Sequence, residues 1–175
     1  MGIEVITRGW DRGDWIGAFY PADLPEEWRL SYFATAFQGV LVPLALWHRA
    51  EPEVLAKWAR DVPEGFGFYL ETDSGAPDPH QHRLAEPLGP RLRGWVTQAQ
   101  GQAPDLRAWR PGGGTLLARQ TPADLIATPK AALSWLRTLA ADAGGQGALA
   151  ILTQGPANEV RRWEDLVVLA GLALA

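Results

Sequence analysis

Three short apolar segments, residues 3–7, 40–47 and 65–70, alternate with two stretches of helical periodicity, and this order restricts the fold of the chain more than any other feature. In residues 3–7 apolar and polar side chains alternate before Gly9, the period-two pattern of a strand ending in a turn. Within residues 26–37, Trp28, Leu30, Phe33, Ala34 and Phe37 share one helical face, with Glu26 and Glu27 at the positive end and Gly39 as the stop. Residues 40–47 are almost continuously apolar, as suits a strand covered on both faces, and Pro43 marks a bend or a strand end. Helical spacing returns in residues 51–60 through Val54, Leu55, Trp58 and Ala59, and residues 65–70 alternate again through Phe66, Phe68 and Leu70. A β-α-β-α-β order predicts a parallel sheet with right-handed crossovers.

The remainder is less regular. Residues 8–25 read as a long ordered loop anchored by Trp10, Trp15, Phe19 and Tyr20. From 72 to 114 the pattern weakens into Pro, Gly and polar residues, with a helix predicted over 85–100. Residues 115–119 form the next predicted strand. Thr128 and Pro129 then open a helix that runs to about 141, Thr as cap and Pro at the first helical position. A strand over 148–153 and a helix over 158–174 follow, the helix with Val160, Trp163, Val167, Ala170 and Leu174 on one face. No internal repeat or low-complexity tract interrupts the chain, so residues 1–175 read as a single α/β domain with about five β/α steps.

Composition narrows the chemistry. The 47% hydrophobic residues, nine of all residues being Trp, supply one substantial core. A net charge of −4 gives no general attraction to nucleic acid phosphates. The absence of cysteine removes disulfides, thiolate nucleophiles and thiolate metal sites. The first residues lack the basic and then apolar run of a secretory signal, and the apolar stretch 167–175 is about half of the roughly 20 residues a membrane helix needs. The expectation is a soluble, cytoplasmic protein with no membrane or nucleic acid partner and no cofactor. Its scarce Lys, only Lys57 and Lys130, and abundant Ala, Gly, Leu and Pro read as bacterial codon bias.

An ordered set of motifs then appears: Thr7-Arg8-Gly9-Trp10, Asp14-Trp15 with Gly17, Phe19-Tyr20-Pro21 with Leu24, and Tyr32-Phe33-Ala34 with Phe37. In order and spacing these resemble the T-S-G-W, W-x-G-x-F-Y-P and Y-Y-A-x-x-F elements of the YecE-like family, also called domain of unknown function seventy-two. Residues 63–68 resemble the family's P-x-x-F-x-F strand entry, Leu117-Ala118-Arg119 its late Arg-bearing strand, and residues 148–157 its last strand. The resemblance implies a parallel-stranded, TIM-barrel-like but incomplete fold of about five or six β/α steps, with 72–114 standing where a family member carries further units. It implies no reaction, since none is firmly established for the family.

The departures from the family pattern fall on polar pocket positions. Where the second strand normally ends in V-E-x-N, this chain has Val40-Leu41-Val42-Pro43. Glu71 stands where a Lys usually follows strand three, and Thr153-Gln154 replaces an Asn pair. A pocket that loses a carboxylate, an amide and a cation does not keep its chemistry, because catalysis depends on placed charges.

In parallel α/β folds ligands sit beyond the C-terminal strand ends, which puts Arg8, Trp10, Trp47, His48, Glu71, Arg119 and Gln154 around one expected mouth. Arg8 and Arg119 suit a carboxylate or phosphate; the plainer reading is that either pairs with Glu71 or an Asp. His80 and His82 have a spacing that would place two imidazoles near one metal, but no third ligand is apparent, so a solvated loop and no metal is the reading, with His82 the better ligand-binding candidate. Gly112-Gly113-Gly114 lacks the Lys of a phosphate loop and reads as a turn before a strand. Trp28, Trp58, Trp135 and Trp163 lie on predicted helices and read as core or interface, leaving Trp10, Trp15 and Trp47 as pocket walls.

Two functional readings follow. One is a non-catalytic or vestigial family member that binds a small anion or a protein partner. The other is an enzyme with a rebuilt pocket, Glu71 or His82 serving as acid-base group and Arg8 or Arg119 holding an anionic substrate. With about five β/α steps where a full barrel has eight, the sheet either closes as a smaller barrel or stays open; an open sheet exposes strand edges, and from this a homodimer covering the place of the missing units is expected.

Overall fold

The structure, a computed structural model, describes residues 2–73, 75–97, 105–144 and 149–173. Strand β1 (Ile3–Arg8) leads through a long loop to helix α1 (Arg29–Ala36), strand β2 (Gly39–Val42), short helix α2 (Leu44–Trp47), helix α3 (Pro52–Asp61) and strand β3 (Gly67–Thr72). Helix α4 (Pro79–Ala85), strands β4 (Leu92–Thr97), β5 (Asp105–Trp109) and β6 (Thr115–Gln120), helix α5 (Pro129–Asp142), strand β7 (Leu149–Thr153) and helix α6 (Ala157–Leu169) complete it. None of the described helices is long and apolar enough to cross a membrane.

Seven strands among the described residues close into a barrel in chain order, β7 returning to β1. Ile3 to Thr7 pair in parallel with Leu149 to Thr153, so the two ends of the chain share one sheet as the sequence implies. Side chains alternate between two cores. Ile6, Leu41, Tyr69, Val96, Leu116 and Ala118 fill the inside of the barrel. Val5, Val40, Val42, Phe68, Leu70 and Trp95 face outward into the layer shared with the helices.

The fold is mixed rather than purely parallel, and this corrects the expectation from sequence. β5 runs antiparallel to both β4 and β6, while the other neighbours are parallel. The cause is connection length: residues 98–104 and 110–114 are too few for a crossover helix, which takes about a dozen residues or more. The turn at 110–114 uses the three glycines as expected of a turn, with Gly113 and Gly114 at φ +94° and +83° and the Gly113 N–H donating to Arg110 O at 3.0 Å.

Of the two alternatives, a smaller closed barrel and an open sheet, the described strands take the first. Each strand has two neighbours, so the exposed edges from which a homodimer was expected are absent among the described residues.

Local differences have local causes. The apolar run 40–47 is strand only to Val42; Pro43, without an N–H to donate, ends it, and Leu44–Trp47 turn into helix. The helix predicted over 85–100 is instead the end of α4, a 3-10 stretch (Glu86–Arg91) and β4, and residues 98–100 lie outside the described set. The helix forms earlier because Asp78 and Gln81 make a capping box, Gln81 N donating to Asp78 Oδ1 at 2.8 Å and Asp78 N to Gln81 Oε1 at 3.0 Å. At α5, Pro129 takes the first position as expected, but Thr128 makes no side-chain capping bond. Ala148 and Leu174, in the last predicted strand and helix, lie outside the described residues.

The loop from 9 to 28 is anchored as its aromatic content implies. Trp15 and Tyr20 are buried, the Trp15 and Phe33 rings stack at 6.0 Å, and the Tyr20 hydroxyl donates to Trp10 O. That anchoring fixes the path of the chain as it leaves β1.

Candidate functional site

At the C-terminal end of the barrel, Arg8 closes β1 and Glu71 sits near the end of β3. Alternation along both strands turns their side chains inward, in line with Ile6 and Tyr69 of the inner core. The Arg8 guanidinium grips the Glu71 carboxylate with two bonds, Nε to Oε1 at 2.8 Å and a terminal nitrogen to Oε2 at 2.9 Å. Glu71 Oε2 also accepts the Leu44 N–H at 3.0 Å, the first turn of α2 supplying a donor. The Glu71 side chain is 2% exposed against 43% for Arg8, so the carboxylate is sealed beneath its partner. The bond to Glu71 raises the pKa of Arg8 further, keeping the guanidinium charged.

Aromatic rings extend this side of the rim. Trp47, wholly buried, donates its indole N–H to Glu71 O at 2.9 Å and meets Trp95 edge-on at 5.5 Å. His48 lies against Trp47 at 5.6 Å, and His82 against Trp95 at 5.2 Å. His48 and His80 rings come within 6.4 Å, yet no group of three metal-ligating side chains forms among the described residues. Arg8 and Glu71 thus meet at the mouth, and Trp47, His48 and His82 are connected to them through the buried Trp47 and Trp95 rings in the layer outside the barrel.

The other three candidates lie apart from them. Trp10 leaves the mouth for a groove of about 380 Å³ between α1 and α3, where it meets Trp58 edge-on at 5.0 Å. Arg119 follows Leu117 on the outward positions of β6, because Leu116 and Ala118 take the inward ones. Gln154 is exposed and lines a separate cavity of about 310 Å³ beyond the ends of β6 and β7, shared with Gln120 and Thr153. The expectation of one mouth holding Arg8, Arg119 and Gln154 together is therefore corrected: a strand's alternation, not only its direction, decides which side chains reach the mouth.

The family model described as "Protein of unknown function DUF72" matches residues 5–100. The chain belongs to the DUF72 family. A DUF72 family protein from Thermotoga maritima has a similar solved structure, with a TM-score of 0.64 at 13% identity, covering 96% of this chain and 100% of that one. A second DUF72 family protein, from Enterococcus faecalis, gives a TM-score of 0.55 at 9% identity, covering 95% of each chain. At such identities the likeness is one of fold. No curated protein matches.

Sequence reading missed a second polar pair, deeper in the barrel. Glu4 is 2% exposed and accepts the Tyr69 hydroxyl at 2.5 Å, in space left open by two glycines. A Cβ at Gly39 would stand 2.8 Å from Glu4 Oε1, and one at Gly67 3.0 Å from the same atom. Burial raises the Glu4 carboxyl above its ordinary range, with the Tyr69 bond and the charge of Arg93 opposing. The signal was the acidic residue on an inward-facing strand position, opposite small residues on the next two strands. Glu164 on α6 was also missed: burial pushes its carboxyl up to about 8, against a hydrogen bond with the Gln38 backbone.

Proposed function

We propose that this chain is a non-catalytic DUF72 protein that acts by binding a protein partner. The observation that carries this reading is the engagement of Glu71 by Arg8 and by the Leu44 N–H. A general base must present a free lone pair to its substrate, and Glu71 offers its oxygens to protein donors from beneath a guanidinium. Arg119 lies on the outer face, so the two guanidiniums that an anionic substrate or ligand would need do not converge. His82 rests edge-on against a buried indole rather than beside Glu71.

Binding to a protein is favoured by an apolar surface on one side of the barrel. Leu46 is 43% exposed and Val54 39%, and Leu46 lines the groove between α1 and α3 with Trp58. Val54 stands one helical turn before Lys57 and Trp58 of that groove, so it shares their face of α3. Exposed aromatic and aliphatic side chains around a concavity are characteristic of interaction surfaces.

Photo-cross-linking in the native host tests this. Leu46→p-benzoylphenylalanine is expected to yield a discrete cross-linked species that Arg137→p-benzoylphenylalanine, on exposed α5 surface, does not. Identical patterns from both positions would overturn the reading.

A further inference from the structure

The groove between α1 and α3 has a composition that selects among partners. Its floor carries the paired indoles of Trp10 and Trp58, with rings 5.0 Å apart at 81°. Four carboxylates, Asp11, Glu26, Glu27 and Asp61, line it against a single cation, Lys57. Lys57 is engaged by Asp61, and Arg29 binds Asp11 from beside the groove. Glu26 and Glu27 are exposed and make no ion pair with any described residue.

Two acidic residues ahead of α1 would by themselves express the usual preference of a helix N-terminus for negative charge. That preference does not account for two tryptophans in the same concavity, nor for exposed Leu46 and Val54 beside it. Indole faces attract cations through the ring quadrupole, and among cations the planar guanidinium both stacks on a ring and forks a carboxylate. The aliphatic stem of such a side chain would cover the neighbouring apolar surface. The volume, about 380 Å³, falls at the low end of ligand pockets, which span about 300–1,000 Å³.

We propose that this groove receives an arginine side chain of a partner protein, the guanidinium lying on the indole of Trp58 and held by Glu26 and Glu27. The inference rests on the partner-binding reading above and gives that partner its chemistry: a basic residue flanked by apolar ones.

The test is titration of the intact protein with the peptide acetyl-Leu-Arg-Leu-amide, following the indole N–H signals of Trp10 and Trp58 by NMR. A saturable shift confined to these two indoles and their neighbours is expected. Binding should weaken at least about fivefold with the citrulline peptide, which keeps the shape and removes the charge, and by a similar factor in Glu26→Gln/Glu27→Gln. Both substituted residues are exposed, and an unchanged thermal midpoint would show that the double variant still folds. Equal binding of the arginine and citrulline peptides, or no saturable shift, overturns the proposal. If the Leu46 cross-link persists in that case, partner binding stands and only the arginine assignment falls; if the cross-link is absent too, both fall.

Discussion

Tyr69 reaches across β2 to Glu4, donating its hydroxyl to Oε2 at 2.5 Å inside the barrel, because Gly39 places no side chain between them. Burial raises the pKa of both groups, so the pair favours the protonated phenol and resists ionisation of the carboxyl. Between the unfolded value, 4.5, and the raised folded one, the native state binds the extra proton. Stability is therefore greatest below the unfolded value and falls as pH rises through the folded one. Glu4→Gln is expected to gain on the wild type as pH is raised from about 4 to about 8, read from urea midpoints at each pH. A gap that stays constant across that range would contradict the assignment. Tyr69→Phe, which takes a donor from a buried carboxyl, is expected to cost about 1–3 kcal/mol.

The Arg8–Glu71 pair predicts a non-additive cycle. Arg8→Leu leaves a buried carboxylate with the Leu44 N–H alone. The full loss for breaking a buried pair is about 3–5 kcal/mol; with Arg8 43% exposed to solvent, about 1–3 kcal/mol is expected. The double variant Arg8→Leu/Glu71→Leu should be more stable than Arg8→Leu alone, since it removes the stranded charge. Chemical denaturation of the four proteins measures the coupling, and strict additivity would mean that the bidentate contact is not formed in solution.

Glu164 offers a direct reading of protonation. Carboxyl carbon NMR should show it titrating at about 8, above its ordinary value of 4.5. Because its folded value is raised, its contribution to stability is present at low pH and is lost between 4.5 and about 8, the same direction as for Glu4. Glu164→Gln should flatten that slope. A midpoint in the ordinary carboxylate range would refute the burial argument.

Much of the fold was legible in the sequence because it is written in local periodicity. β1, α1, α3, β3, α5, β7 and α6 follow the alternation and helical spacing of residues such as Phe66, Phe68, Trp58 and Trp163. What periodicity could not supply was direction. Residues 92–97 include Trp95 and Val96 within a segment whose spacing also fits a helix, and only its pairing with β3 decides for strand. β5 was missed for a related reason: with glycine and proline on both sides, its apolar residues are too few to signal a strand unaided.

For the site, sequence placed residues at strand ends but not on strand faces. Arg8, Arg119 and Glu71 were named as candidates, with pairing of either Arg to Glu71 or an Asp as the plainer reading, and it is Arg8 that pairs with Glu71. Arg119 was named on its strand position without regard to the inward turn of Leu116 and Ala118. Trp58 was assigned to helix packing, which it does perform against Phe68 at 6.5 Å, while also lining an open groove. One side chain can serve both purposes, and spacing alone does not separate them.

With β5 running against both neighbours, β4 and β6 keep a common heading. Strands inserted or removed at this point in twos would leave every other strand oriented as before, and circumference grows with strand number. The girth of such a barrel is thus open to change by short turns alone, with no new helix required to carry the chain back.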